Sequence, residues 1–465
     1  MRYILQEEYI LCGWEKMPYA LKNIKAGMTR AVAERPFELL FSCSGKKEIH
    51  MDRLDEKERR FLEAALKDGV IRQAKDGETR DLVYHRYKGM WKDTVQWSIT
   101  GKCNYRCRHC FQSAPEGVLG EPTFAQCMEI LHQLHDCGID KIGLTGGEPL
   151  IRKDLLLILD EIKRLGMHVT MIYSNGRLVT DPFLDELEKR DMRPIFQISF
   201  DGVGCHDWMR GVEGAEKIAL DTFRRLKRRD FEANSAMCLC KDNVASMRET
   251  VRELAKAGCT RLKFQRSMPM GEWASQKEHF LSYDETLQAY LDYLPQYKED
   301  GMPLDLQMEG FFGYSASSGY MNLSNRHGKE EMLDKMPPCG VIESSLYIGP
   351  NGAVTPCMSM NGSAVEAQFP NIFEMSLDRI LKDSSYTTLT GYRVKDVLDH
   401  TPKCRNCRYR LECCAGCRAF ALGEDGTDYL SYDPITCKIL TEGWSERLDQ
   451  VAGALFGKDD AGTIT

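Results

Sequence analysis

No run in this chain approaches the roughly 18 apolar residues that a membrane-spanning helix needs, which argues against a membrane protein. A surplus of positive charge is also missing. The formal net charge is −7, whereas a nucleic-acid footprint normally shows as a basic domain or stripe. The N-terminus, Met1-Arg2-Tyr3-Ile4-Leu5-Gln6-Glu7-Glu8, turns acidic at once. It lacks the apolar core of a secretory signal, so the expectation is a cytoplasmic protein with neither nucleic acid nor membrane as partner. The apolar fraction of 43% is ordinary for a globular protein. A length of 465 residues suggests roughly two to four domains.

Cysteine, by contrast, is plentiful, with nineteen in the chain. Disulfides are disfavoured in a reducing compartment, so clustered cysteines point to metal. Three lie between 103 and 110, and eight lie between 339 and 437. The other eight (Cys12, Cys43, Cys127, Cys137, Cys205, Cys238, Cys240 and Cys259) are scattered and read as small buried hydrophobes.

Residues 1–92 form a first unit. An extended stretch leads to a helical segment near Arg35–Cys43. An amphipathic helix over Asp52–Lys67 carries Leu54, Phe61, Leu62, Ala65 and Leu66, and a turn and strand follow at Gly69–Arg72. Strand–helix–helix–strand at this length suggests a small winged-helix-like module, a structural cap on the next domain being the plainer reading. Residues 93–300 alternate regularly. Strands are expected at Val95–Thr100, Lys141–Thr145, His168–Ser174, Ile195–Phe200, Asn234–Leu239 and Arg261–Arg266. Helices are expected at Phe124–Cys137, Leu155–Leu165, Phe183–Arg190, Ala215–Arg229 and Ala245–Ala257. Gly138, Gly166 and Gly258 read as helix C-caps, and Thr123 with Gln126 as a capping box. The fold class is therefore α/β, a partial (β/α)6 TIM-like barrel with chemistry at the C-terminal strand ends. Residues 301–336 read as a bridge, a linker or a loop near substrate. Residues 337–447 hold the second cysteine group, and 448–465 form a tail, frayed and dispensable after Ala452.

Cys103-Asn104-Tyr105-Arg106-Cys107-Arg108-His109-Cys110 follows the first barrel strand. Thiolates at this spacing can hold three irons of a 4Fe–4S cube and leave the fourth open. Zinc would want a fourth ligand, and His109, adjacent to Cys110, is poorly placed to close a tetrahedron. Gly146-Gly147-Glu148-Pro149 follows the second strand, Ser174-Asn175-Gly176 the third and Ser199-Phe200-Asp201-Gly202 the fourth. In this order the set resembles the radical S-adenosylmethionine (SAM) superfamily. The resemblance implies that the open iron chelates the methionine end of SAM. It also implies that Glu148 lies at the amino group, and that Ser199 and Asp201 contact ribose and methionine; Arg210 is a further candidate for the carboxylate. His109 stands where an aromatic residue often precedes the third cysteine. The implied chemistry is reductive cleavage of SAM to a 5′-deoxyadenosyl radical, which abstracts hydrogen from substrate. The residues name no catalytic acid or base.

Downstream come Cys339 and Cys357, then Cys404, Cys407, Cys413 and Cys417, and finally Cys437. This pattern resembles the cysteine-rich SPASM extension, which carries two auxiliary 4Fe–4S clusters and so implies three in all. By that resemblance Cys404, Cys407, Cys413 and Cys437 hold the distal cluster, and Cys339, Cys357 and Cys417 hold the one nearer the barrel. Cys414 falls off the pattern, and a zinc ribbon is the competing reading of the C-x2-C-x5-C run. No cysteine stands between Met332 and Pro338, so the inner cluster is left with three thiolates. It would be open to a substrate thiolate or closed by a distant residue such as His327. Met358 stands where sulfatase-maturing relatives carry an aspartate base, which counts against that role.

The SPASM extension occurs mostly on enzymes that modify peptides or proteins. The apolar pattern of the first unit, with Lys67-Asp68-Gly69-Val70-Ile71, resembles the leader-recognition domain of ribosomal-peptide maturases. Such domains bind a leader by strand addition. The resulting expectation is a peptide maturase that forms a crosslink, a thioether foremost. Its partners would be a precursor peptide with a leader and an electron donor such as flavodoxin or ferredoxin. A radical enzyme acting on a globular protein or small molecule, and a non-catalytic iron–sulfur module, remain the alternatives.

Overall fold

A computed structural model describes residues 1–267, 270–315, 320–323, 328–425 and 428–456. The N-terminal unit is more strand-rich than its sequence suggests. The extended stretch is four strands: β1 (Arg2–Leu5), β2 (Tyr9–Trp14), β3 (Met17–Asn23) and β4 (Met28–Ala31). After α1 (Glu34–Ser42) come β5 (Ser44–Glu48), α2 (Glu56–Lys67), β6 (Ile71–Gln73) and β7 (Tyr84–Arg86). They form two sheets, ordered β5-β1-β6 and β4-β3-β2-β7. The N-terminal strands hide from pattern reading because β2 is buried on both faces. Leu11 packs in the unit's own core with Phe37, Leu40 and Leu62, whereas Cys12, Trp14 and Ala20 pack with Tyr87 and Trp91. Helix α2 starts at a capping box between Asp55 and Glu58.

The unit is fastened to the N-terminal end of the barrel. Lys22 Nζ, almost fully buried, donates to Gly138 O at 3.0 Å and pairs with Asp140 at 2.9 Å. Trp14 Nε1 donates to Cys137 O at 2.7 Å. His168, at the start of the third barrel strand, lies 2.9 Å from Ile24 O.

The six expected strands appear in order as β8 (Thr94–Ser98), β9 (Lys141–Thr145), β10 (His168–Ser174), β11 (Ile195–Ser199), β12 (Ala233–Leu239) and β13 (Arg261–Arg266). Between them run α3 (Phe124–Asp136), α4 (Leu155–Arg164), α5 (Asp181–Lys189), α6 (His206–Arg210), α7 (Ala215–Arg228) and α8 (Met247–Ala257). The Thr123–Gln126 capping box opens α3. The sheet then continues past the expected barrel on both sides. Helix α9 (Tyr283–Glu299) returns the chain to β14 (Asp305–Met308), parallel to β13. The antiparallel strands β15 (Phe312–Ser315) and β16 (Tyr320–Leu323) follow. Within the segment read as a bridge, residues 305–308, 312–315 and 320–323 are therefore sheet. On the other side β17 (Ser345–Ile348) lies parallel to β8 and is followed by β18 (Val354–Thr355). The order of these eleven strands is β16-β15-β14-β13-β12-β11-β10-β9-β8-β17-β18.

Strand side chains alternate between faces. Phe196, Ile198, Leu262 and Phe264 are buried with the helices. The intervening Gln197, Lys263 and Gln265, with Gln96 and Tyr173, are half-buried on the other face. That face is polar, unlike the bulky apolar filling of a closed barrel. Gln96 donates to the Tyr173 hydroxyl at 2.7 Å, and Lys263 pairs with Glu309 at 2.7 Å.

The C-terminal region is built from short helices and turns. Its last described element, Trp444–Phe456, is a helix with Ala452 and Phe456 buried. Phe456 stacks on Phe312 and Tyr314, with centroids 6.0 Å away in both cases. The chain beyond Ala452 is thus packed through Phe456, not frayed, and 457–465 lie outside the described residues. No described helix is long and apolar enough to cross a membrane.

Candidate active site at the strand ends

The cysteine loop after β8 and the Gly146–Glu148 turn after β9 are laced together through their backbones. Gly147 N–H donates to Thr100 O at 2.8 Å and Glu148 N–H donates to Lys102 O at 2.9 Å. A Cβ on Gly146 would sit 2.6 Å from Thr100 O, and one on Gly147 only 2.1 Å from Lys102 O. The two glycines therefore serve the close approach of one strand-end loop to another.

Glu148 is fully buried. Its carboxylate accepts from Ser174 Oγ at 3.0 Å, Asn175 N at 2.8 Å and Leu150 N at 3.2 Å. Burial pushes its pKa up to about 7 against those hydrogen bonds. All three donors are neutral, and no described cation pairs with the carboxylate. A buried carboxylate with neutral donors only is a fitting seat for an ammonium group. The Asn175 side-chain amide donates to Asn104 Oδ1 at 2.7 Å, tying the third strand end to the cysteine loop. Asn104 was not singled out from sequence, although its place inside the cysteine motif was the available signal.

A second knot lies at the fourth strand end. Asp201 is fully buried and its carboxylate lies 2.6 Å from Arg210 Nε. The Cys238 N–H donates to it at 3.1 Å. His109 and His206 approach at 3.8 and 3.7 Å. Burial disfavours the Asp201 charge, but Arg210 above all, with the two histidines, holds its pKa below the usual carboxylate range. Burial pushes both imidazoles down, His109 to about 4 and His206 to about 3, so both are neutral near pH 7. His109 keeps an aromatic role, packing edge-on to Trp273 with centroids 6.3 Å apart.

Arg210 joins this knot to the cysteines, for its Nη1 lies 3.6 Å from Cys107 Sγ. The backbone repeats the link. Arg106 and Arg108 N–H groups donate to Arg210 O and Met209 O, the last carbonyls of α6. Gly211 ends α6 at φ +63°, and a Cβ there would meet Arg106 O at 2.4 Å. Arg210 is thus engaged by Asp201 and by the cysteine loop. Ser199 is half-buried at the end of β11. Pro149 starts the short turn behind Glu148.

The Cys103 and Cys110 sulfurs face backbone donors, Tyr105 N at 3.4 Å and Ala114 N at 3.3 Å. Burial holds the free Cys103 thiol up at about 12 and raises Cys107, with Arg210 opposing the latter shift. Among the described residues no three His, Cys, Asp or Glu side chains converge on one metal ion. A cube places its thiolates on separate irons and needs no such convergence.

In the C-terminal region Cys404, Cys407, Cys413 and Cys437 line one small cavity with Lys403, Tyr432 and Asp433. Burial disfavours the Lys403 charge, but the Cys437 sulfur holds its pKa above the usual range. Cys417 lies within electrostatic reach of Cys357 and Cys339 instead. Burial raises Cys357 to about 11 and Cys417 to about 12. Asp433 stands between the two sets. It caps the helix Pro434–Thr441 and accepts from Cys417 N at 2.8 Å. The Cys413–Cys417 loop is tightly wound, with Cys414, Ala415 and Gly416 all at positive φ. Cys414 points away into an apolar cluster with Leu333 and Val397. His327 falls outside the described residues. Of the eight scattered cysteines, seven are buried and Cys238 is half-buried.

Residues 97–262 match the radical SAM superfamily, and residues 339–408 match SPASM, an iron–sulfur cluster-binding domain. The chain therefore carries a radical SAM domain followed by a SPASM domain. Its curated relatives include an AdoMet-dependent heme synthase of Nitratidesulfovibrio vulgaris, 24% identical over 73% of this chain and 91% of that protein. The PqqA peptide cyclase of Gluconobacter oxydans is 22% identical over 72% and 88%. In fold the chain is similar to Streptococcus suis SuiB, solved bound to its precursor peptide SuiA. The TM-score is 0.64, with 15% identity over 94% of this chain and 99% of SuiB.

Proposed function

We propose that this enzyme is a peptide maturase that installs a crosslink, a thioether foremost, in a ribosomally made precursor. Cys103, Cys107 and Cys110 would hold a 4Fe–4S cluster with one iron left for SAM. Glu148, presented by Gly146, Gly147 and Pro149 and oriented by Ser174 and Asn175, would take the ammonium of SAM. Ser199, Asp201 and Arg210 would border the remainder. Cys339, Cys357 and Cys417 would hold an inner auxiliary cluster, and Cys404, Cys407, Cys413 and Cys437 an outer one. Loaded, these sites supply a 5′-deoxyadenosyl radical and a route for electrons, drawn from a donor such as flavodoxin or ferredoxin in the cytoplasm.

The observation that carries the peptide reading is the N-terminal unit. It is folded, fastened to the barrel through Lys22 and Trp14, and takes no part in the strand-end site. The 94% coverage in the likeness to SuiB extends into it. Strand β4 pairs only with β3 and exposes Met28, Arg30 and Ala31. A leader adding there would follow the strand-addition mode. The unit sits at the opposite end of the barrel from the cysteine loop. Strands of five to seven residues make that span about 20 Å at roughly 3.3 Å per residue, so the precursor needs about six or more residues between leader and modified residue.

The test is a search for a short reading frame beside the gene, followed by anaerobic reconstitution of the full chain with SAM, a reductant and the peptide so encoded. The expected result is 5′-deoxyadenosine formation together with a peptide lighter by two hydrogens, with a raised KM once the leader is removed. The heme synthase relatives favour a second reading, a tetrapyrrole substrate. Turnover of a tetrapyrrole, with no peptide processed, would overturn the first reading in favour of the second.

A further inference from the structure

Two phenols beside the inner cysteine set have no partner. Tyr429 is 4% exposed and Tyr386 is 0% exposed, and neither hydroxyl makes a hydrogen bond among the described residues. A buried donor left unpaired is costly, so two in one place call for an acceptor. Both are firmly placed. Tyr386 opens a helix over Ser385–Gly391, its ring lies 6.3 Å from that of Phe369, and Lys92 Nζ sits 5.4 Å from it. The Tyr429 carbonyl accepts from Arg418 Nη1 at 3.1 Å, and Arg418 directly follows Cys417. The Tyr429 phenol lies within electrostatic reach of Cys339, Cys357 and Cys417, and that of Tyr386 within reach of Cys357 and of Tyr429. A phenol is protonated at neutral pH and so stands as a donor.

We propose that Tyr429, seconded by Tyr386, donates a hydrogen bond to a sulfur of the cluster held by Cys339, Cys357 and Cys417, and so sets its reduction potential. The proposal rests on the auxiliary-cluster reading above. It assigns to a set with three cysteines a polar wall on the chain itself. Hydrogen bonds to cluster sulfurs stabilise the more negative, reduced state and raise the potential. Both are positioning residues, with no claimed contact to substrate.

The test uses full-length protein in which Cys103, Cys107 and Cys110 are alanine, so that only auxiliary clusters are counted. Tyr429→Phe, Tyr386→Phe and the double variant are reconstituted anaerobically. Iron and sulfide are assayed, and each is titrated by electron paramagnetic resonance. The expected result is unchanged iron with the midpoint of one cluster moved to more negative potential, furthest in the double variant. An unmoved midpoint overturns the proposal. So does loss of one cluster's iron in Tyr429→Phe, which would make the phenol a ligand. Absence of iron from the parent protein would instead sink the auxiliary-cluster reading beneath it.

Discussion

The strand-end site and the C-terminal cysteine region both gather cysteines, but they hold them differently. In the first, each motif ends a strand of a parallel sheet, and neighbouring loops are pinned by backbone hydrogen bonds such as Glu148 N–H to Lys102 O. In the second, Cys404 and Cys413 sit on four-residue helices, Pro402–Arg405 and Arg410–Cys413, Cys339 precedes the five-residue helix Gly340–Ser344, and Cys414 lies on a left-handed turn. A buried arginine, Arg418, staples that region by donating to Ala415, Tyr429 and Ser431 carbonyls. The contrast teaches that the barrel site is preorganised by its sheet, whereas the C-terminal region has little regular structure to hold its cysteines in place, so a cluster bound there as proposed would stabilise that region most.

Replacing Cys103, Cys107 and Cys110 with alanine should have the largest effect. Formation of 5′-deoxyadenosine should fall to background while circular dichroism stays native, because the strands carry the fold. Iron removal sharpens the comparison. On chelation, hydrogen exchange should rise steeply over 400–440 and little over β9–β12; equal loss of protection in both would break the contrast.

Glu148→Gln comes next. Loss of a charge-assisted contact worth about 1.5–3 kcal/mol should raise the KM for SAM by roughly ten- to a hundredfold. The pH dependence has a definite sign. Burial raises the Glu148 pKa to about 7, so the cofactor-free fold loses stability as pH rises from about 4.5 through 7. With Glu148 as the proposed seat of the SAM ammonium, SAM binding should tighten about tenfold between roughly pH 6 and pH 8. Glu148→Gln should flatten that profile, and a slope surviving in the variant would assign the titration elsewhere. Gly147→Ala should have the smallest effect. Its Cβ would lie 2.1 Å from Lys102 O, and thermal melting should show about 1–3 kcal/mol of destabilisation.

Much of the barrel was legible because strand and helix periods differ and each unit buries one face. The expected strands of β9, β10 and β13 match those observed residue for residue. What escaped was pairing between distant segments. Strand β17 reads as a short apolar run, and only packing against β8 makes it barrel. Strands β14 and β15 lie in a segment whose Gly310-Phe311-Phe312-Gly313 run signals a loop, yet β13 offers an edge that holds β14. At the candidate site, motif order pointed to Glu148 and the cysteines. Asn104, the two neutral histidines and the grip of Arg210 on Cys107 arise from loops that meet only when the sheet forms.

The sequence by itself determined the chemistry available: thiolates at C-x3-C-x2-C, a carboxylate after paired glycines, and seven further cysteines in two spaced groups. Local spacing carries that information, because cluster ligands and turn residues are set over a few positions. Tertiary structure alone decided that the glycines face the cysteine loop, that Asp201 is matched to Arg210, and that two phenols near Cys339, Cys357 and Cys417 make no hydrogen bond among the described residues. Burial and partnership are properties of the packed chain, and they set which charges survive and which donors still need an acceptor.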